Sequence, residues 1–146
     1  MKLADFIAKA KKSTYASGAK PKILEDGFEE LSYEERGLHY RDRWKGTNPF
    51  GGEEIVKEKD KVIWIMNYYG IVFSIKVESE KVYEFLRKAM NLVSRERPFR
   101  GPSHFKEGDF EYFDKSEGTL DRFKGIERIL YMDEEVYRLE YHGGKL

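Results

Sequence analysis

Leu38 to Gly70 reads LHYRDRWKGTNPFGGEEIVKEKDKVIWIMNYYG, and this stretch decides the fold. It holds both tryptophans, a tight glycine turn and the chain's most apolar run. A second stretch, Phe110 to Gly143, FEYFDKSEGTLDRFKGIERILYMDEEVYRLEYHG, follows the same pattern with one extra residue after Thr119. Tyr40 corresponds to Tyr112, Asp42 to Asp114, Gly46 to Gly118 and Thr47 to Thr119. Beyond the insertion, Phe50 corresponds to Phe123, Gly52 to Gly125, Glu54 to Glu127, Tyr68 to Tyr141 and Gly70 to Gly143. The expectation is one domain over residues 1–146, built from pseudo-repeat halves 1–75 and 76–146 around a shared core.

Each copy reads as antiparallel strands. Along Leu38 to Trp44, Leu38, Tyr40, Asp42 and Trp44 alternate with His39, Arg41 and Arg43, so the two sets take opposite faces. Glu29 to Tyr33 pairs with that strand through a turn at Glu35-Arg36-Gly37. Glu53 to Glu58 pairs with Lys61 to Tyr69 through Lys59-Asp60. The last of these strands is apolar on both sides, which predicts a central strand covered on both faces. In the second copy, Ser103 to Lys106 and Asp109 to Lys115 turn at Glu107-Gly108. Phe123 to Met132 and Glu135 to His142 turn at Asp133-Glu134.

A helix precedes each set of strands. Leu3, Phe6, Ile7 and Ala10 fall at helical spacing between Leu3 and Lys12, and Val82, Phe85, Leu86, Ala89 and Val93 repeat the stripe. Ser79 stands at the position of an N-cap. Between the first helix and its strands, Gly18, Pro21 and Gly27 break any period from Thr14 to Gly27, which predicts a long loop. The fold class expected is therefore α+β, an internal duplication in which each half is one helix followed by a four-stranded antiparallel sheet. That layout is similar to tandem helix-plus-four-strand inhibitor proteins.

Composition narrows the function classes. The 27 basic and 27 acidic residues cancel, so nothing in the overall charge points to nucleic acid or to an anionic membrane. No cysteine is present, which excludes disulfides and thiolate chemistry. No apolar run approaches the roughly 20 residues of a membrane span, and MKLADFIAKAKK does not read as a signal peptide, so a cytoplasmic location is expected. Glutamine is absent and lysine and glutamate abound, the profile of proteins from very hot environments.

The residues KSTYASG (Lys12 to Gly18), YRDRWKG (Tyr40 to Gly46), FGGEE (Phe50 to Glu54), MNYYG (Met66 to Gly70), RGP (Arg100 to Pro102), FKGIE (Phe123 to Glu127) and YHGG (Tyr141 to Gly144) resemble a family of prokaryotic domains of unknown function, family 5680. Nearly the whole chain is expected to match. Members of that family sometimes resemble a module attached to helix-turn-helix regulators. The resemblance carries no reaction, and DNA binding does not transfer with it.

The repeat separates two kinds of residue. Positions filled alike in both copies are most simply needed by the fold: Gly46/Gly118 and Gly52/Gly125 as turn or bulge residues with unusual backbone angles, Phe50/Phe123 as core. Asp42/Asp114 and Glu54/Glu127 are expected to accept hydrogen bonds from backbone N–H groups of the glycine turns, with a functional carboxylate cluster as the alternative. Positions that diverge are the better candidates for binding. Trp44 corresponds to Ser116, Asn67 to Glu140, Trp64 to Tyr137 and Tyr69 to His142.

A small-molecule-binding or sensory domain is the reading adopted, with a groove between the helices and the sheet or between the halves. Its candidate ligand-binding residues are Tyr15, Tyr40, Asp42, Trp44, Glu54, Asn67, Tyr69, Arg100 and His142. The alternatives are a protein-interaction module using a sheet face or edge, and an enzyme using the inward carboxylates. No catalytic or metal-ligating set is assigned, because His39, His104 and His142 are scattered and no nucleophile–base pair or phosphate loop appears. The cofactor and the oligomeric state are left open, and no nucleic-acid or membrane partner is expected. Arg95, Arg97 and Arg100 with Phe99 form a basic patch, read as a solvated helix exit, with phosphate binding as the alternative.

Overall fold

A computed structural model describes residues 1–146. Helix α1 (Leu3–Ser13) ends in a single 3-10 turn over Tyr15–Ser17, and helix α2 is Ser79–Met90. The strands are β1 (Lys22–Ile23), β2 (Glu29–Glu35), β3 (Leu38–Lys45), β4 (Phe50–Glu58), β5 (Lys61–Val72), β6 (His104–Glu107), β7 (Phe110–Thr119), β8 (Arg122–Tyr131) and β9 (Glu134–Lys145). The class is α+β, as the periodicities require.

All nine strands join one antiparallel sheet in the order β1-β2-β3-β4-β5-β9-β8-β7-β6, rather than separate four-stranded sheets. The join is the β5–β9 pair. Tyr68 stands opposite Tyr141 there, flanked by Met66 opposite Gly143 and Gly70 opposite Leu139. Pairing these two strands removes two edges that would otherwise present bare backbone groups. The short strand β1 was not legible, because two residues inside a polar loop carry no alternation.

Turn chemistry explains the hairpins. Arg36 and Gly37 adopt φ of 50° and 81°, and Met132 and Asp133 adopt 49° and 66°, the left-handed pairs that match the twist of two-residue hairpins. The second of these turns therefore lies one residue before the expected Asp133-Glu134. Gly46 and Gly118 have φ of 87° and 89°, so the expectation of unusual backbone angles holds for that pair. It fails for Gly52 and Gly125, which sit in regular strand with no positive φ.

Both helices lie on the same face of the sheet. Phe6 and Ile7 of α1 and Phe85 and Leu86 of α2 join Tyr40, Val56, Trp64, Tyr112, Ile129 and Tyr137 in one buried cluster. Helix α2 starts one residue earlier than an N-cap role for Ser79 would allow. Glu78 is the N-cap and makes no side-chain capping bond.

The opposite face has no helix over it, which corrects the expectation for β5. Ile63, Ile65 and Asn67 are only partly covered, and Tyr69 is 57% exposed. Its apolar residues sit among ion-paired neighbours such as Arg41 with Glu30 and Arg43 with Asp26, so apolarity on both faces did not mean two covering layers.

Candidate functional site

The helix-covered face contains a network of buried charges. Asp42 lies opposite Glu54 in the β3–β4 register, and Asp114 lies opposite Glu127 in β7–β8, so each pair of strands places two carboxylates side by side. Isolated charges in such a place would cost several kcal/mol each, and partners offset that cost.

Glu54 stands 2.9 Å from Lys11 Nζ and accepts the Tyr40 hydroxyl, and Lys11 also donates to the Phe99 carbonyl. Glu127 accepts Arg100 Nε at 3.1 Å and Nη2 at 2.9 Å, with the hydroxyls of Tyr112 and Tyr137. Tyr68 donates to Asp42 at 2.6 Å and Tyr141 to Asp114 at 2.8 Å. The acids thus bind tyrosine hydroxyls and cations, not the glycine-turn N–H groups expected.

Tyrosine rings at these places explain the strand glycines. A Cβ on Gly52 would lie 2.6 Å from Tyr68 Cζ, and one on Gly125 would lie 2.6 Å from Tyr141 Cε1. Each glycine is the gap over which a phenol crosses to its aspartate. Without that gap the aspartate loses its donor.

Burial and the neighbouring negative charge of Glu54 push the Asp42 carboxyl up to about 7. Asp114 is pushed to about 7 by burial and by Glu127. Burial lowers the Lys11 ammonium, against the pull of Glu54. Each aspartate therefore holds or gives up a proton near neutrality.

One cleft opens onto this network. Its volume is about 530 Å³, and its walls come from the 3-10 turn, the loop Gly18–Pro21, β2, β3, the β3–β4 turn and α2. Asp42, Tyr68 and Arg100 line it together with Tyr15, Trp44, Phe50, Tyr83 and Arg87. The local folding is direct: alternation sets Asp42 and Trp44 inward from β3, and a four-residue step sets Tyr83 and Arg87 on one side of α2. Tyr83 is held by donating to the Thr47 carbonyl at 2.5 Å and by an edge-on contact with Phe50.

Of the nine candidate residues, Tyr15, Asp42, Trp44 and Arg100 meet in this cleft. Tyr40 and Glu54 lie in the buried network with Lys11. Asn67, Tyr69 and His142 are on the other side of the sheet, in a groove of about 790 Å³ with Lys115, Glu117, Lys124 and Glu140. Strand parity and register separate Asp42 and Trp44 from Asn67, Tyr69 and His142, whereas Tyr15 and Arg100 lie on a turn and a loop that have no parity. Arg100 is not a solvated helix exit: it is 4% exposed, pinned on Glu127, with its guanidinium 5.6 Å from the Tyr68 ring centre.

The sequence reading missed Lys11 and Arg87, and it took Arg97 and Phe99 for part of a solvated patch, whereas Arg97 pairs with Asp114 and Phe99 is buried. Lys11 had a signal, since it follows Ile7 by four residues on the apolar side of α1. Phe99 and Arg97 stood out beside Arg100, but as loop residues without a period they gave no sign that they turn inward. No group of three or more His, Asp or Glu side chains converges as metal ligands would.

A family model described as Domain of unknown function (DUF5680) matches residues 42–146, and the chain belongs to that family. The match leaves out residues 1–41, so KSTYASG, which forms the end of α1 and the first wall of the cleft, lies outside it. No curated protein and no solved structure matches the chain. No helix is long and apolar enough to cross a membrane.

Proposed function

We propose that this chain is a small-molecule-binding domain, sensory in role, whose ligand enters the cleft over Asp42. One observation carries the reading: a buried carboxyl without an ion-pair partner lines an open cleft of about 530 Å³ walled by aromatic rings. A site of that size, mostly preformed, with a few convergent polar groups among rings, suits a small organic ligand. Asn67, Tyr69 and His142 fall outside this proposal.

We also propose that the chain is a doubled unit, residues 1–75 and 76–146. The registers support it, since the Asp–Glu pairs, the Tyr–Asp bonds and the positive-φ glycines occur at corresponding places. On this view the cleft lies between the strands of the first unit and the helix of the second. A second reading, protein interaction through the uncovered sheet face, is favoured by Tyr69 at 57% and Ile126 at 41% exposure.

The test is a thermal-shift screen of metabolites and divalent ions, with binders mapped by NMR of the Trp44 indole N–H. A ligand of this cleft raises the melting temperature and moves the Trp44 signal, because binding to the native state alone stabilises it. No stabiliser at saturating concentration, or stabilisers that move only Tyr69 and His142, would reject the proposal.

A further inference from the structure

The two Asp–Tyr pairs differ in what stands beside them. At Asp114 the Arg97 guanidinium lies 3.4 Å from Oδ2, and Nη2 of the same side chain donates to the Asp114 carbonyl at 3.0 Å. The Phe99 ring lies 6.2 Å from Tyr141 and 4.6 Å from Phe123, centre to centre. At Asp42 neither group has a counterpart. Tyr68 supplies the one hydrogen bond, no cation stands at ion-pair distance, and the segment that borders the space is Gly18-Ala19-Lys20-Pro21. Glycine and alanine leave open what an arginine and a phenylalanine fill on the other side.

We infer that the cleft takes an organic cation with a planar apolar body, the cationic group resting on Asp42 and the body among Trp44, Phe50 and Tyr68. The inference rests on the reading of this cleft as a ligand site. A buried carboxylate beside a cavity is matched by a cation at far less cost than by a neutral group, and aromatic walls add attraction to a positive charge. The cations already on the walls do not oppose this. Arg100 is neutralised by both oxygens of Glu127, and Arg87 lies at the exposed rim, 6.0 Å from the Tyr15 ring. Lys20 and Glu29, one of each sign, both line the cleft.

Three probes of one shape separate the possibilities: benzamidine, benzyl alcohol and benzoate, titrated into the whole chain by NMR while following the Trp44 indole N–H. The expected result is that benzamidine binds at least tenfold more tightly than the other two. Asp42→Asn, which keeps an acceptor for Tyr68, removes that preference, and the unchanged fold is checked by the Tyr69 and His142 signals. Arg122→Gln, an exposed charge outside the cleft, leaves the preference in place. Benzoate or benzyl alcohol binding as well as benzamidine overturns the inference and leaves the ligand cleft standing. A benzamidine preference that survives Asp42→Asn also overturns it. If none of the three moves Trp44 and the metabolite screen also fails, cleft and inference fall together.

Discussion

Replacing Asp114 by asparagine separates the burial of a carboxyl from its charge. The side chain is fully covered, accepts Tyr141 at 2.8 Å and has its second oxygen without a hydrogen bond. Its carboxyl stands at about 7 against an ordinary 3.8. The native state therefore binds the proton more tightly than the unfolded chain does. Stability held in full below the unfolded value is lost as the pH rises, until the folded value near 7 is passed. A rise of about three units at roughly 1.4 kcal/mol each makes the loss on the order of 4 kcal/mol. The substituted amide cannot ionise, but its NH2 group lacks an acceptor, a cost of about 1–3 kcal/mol that does not depend on pH. The assay is urea denaturation of wild type and Asp114→Asn at about pH 4 and about pH 8, comparing the change between the two conditions rather than either value. The variant is expected to lose several kcal/mol less than wild type over that interval. Parallel curves, with one constant offset at both pH values, would refute the reasoning.

Lys11→Met leaves Glu54 buried with a hydroxyl and no cation, and a loss of about 3–5 kcal/mol is expected, with much of it restored by adding Glu54→Gln. Denaturation of the single and double variants measures both. Gly125→Ala places a methyl group where the Tyr141 ring crosses to Asp114, so a loss of about 1–3 kcal/mol is expected, with the Tyr141 ring signals shifted in NMR spectra. Phe99→Ala removes a core ring at a cost of about 3–5 kcal/mol and opens beside Tyr141 a space like that beside Tyr68, detectable as new binding of benzyl alcohol near Phe123.

Alternation and turn chemistry made most of the sheet legible. The hairpins were signalled by glycines that adopt positive φ, Gly37 after Arg36 and Gly108 before Asp109, the latter turn one residue later than the expected Glu107-Gly108. The inward place of Asp42 followed from parity alone. What parity could not give was which strands meet at the centre, because β5 and β9 are equally plausible partners for several neighbours. It also misjudged Tyr69 and Asn67, since an apolar strand face without a covering helix looks the same in sequence as one with it. The charge network was half legible. The acids were visible as repeated positions, but Lys11 and Arg100 come from a helix and a loop distant along the chain. Only the folded chain brings them within 3.1 Å of Glu54 and Glu127.

The seam at β5–β9 bears on how the protein is made. Synthesis delivers β5 early, yet its sheet partner is residues 134–145, more than sixty positions downstream. Until that segment leaves the ribosome, the edge of the most apolar strand has no hydrogen-bonding neighbour on that side, and it is open to pairing with other nascent chains. The middle of the sheet closes only after β9 emerges, so yield in a cell should depend on how quickly residues 134–145 follow β5.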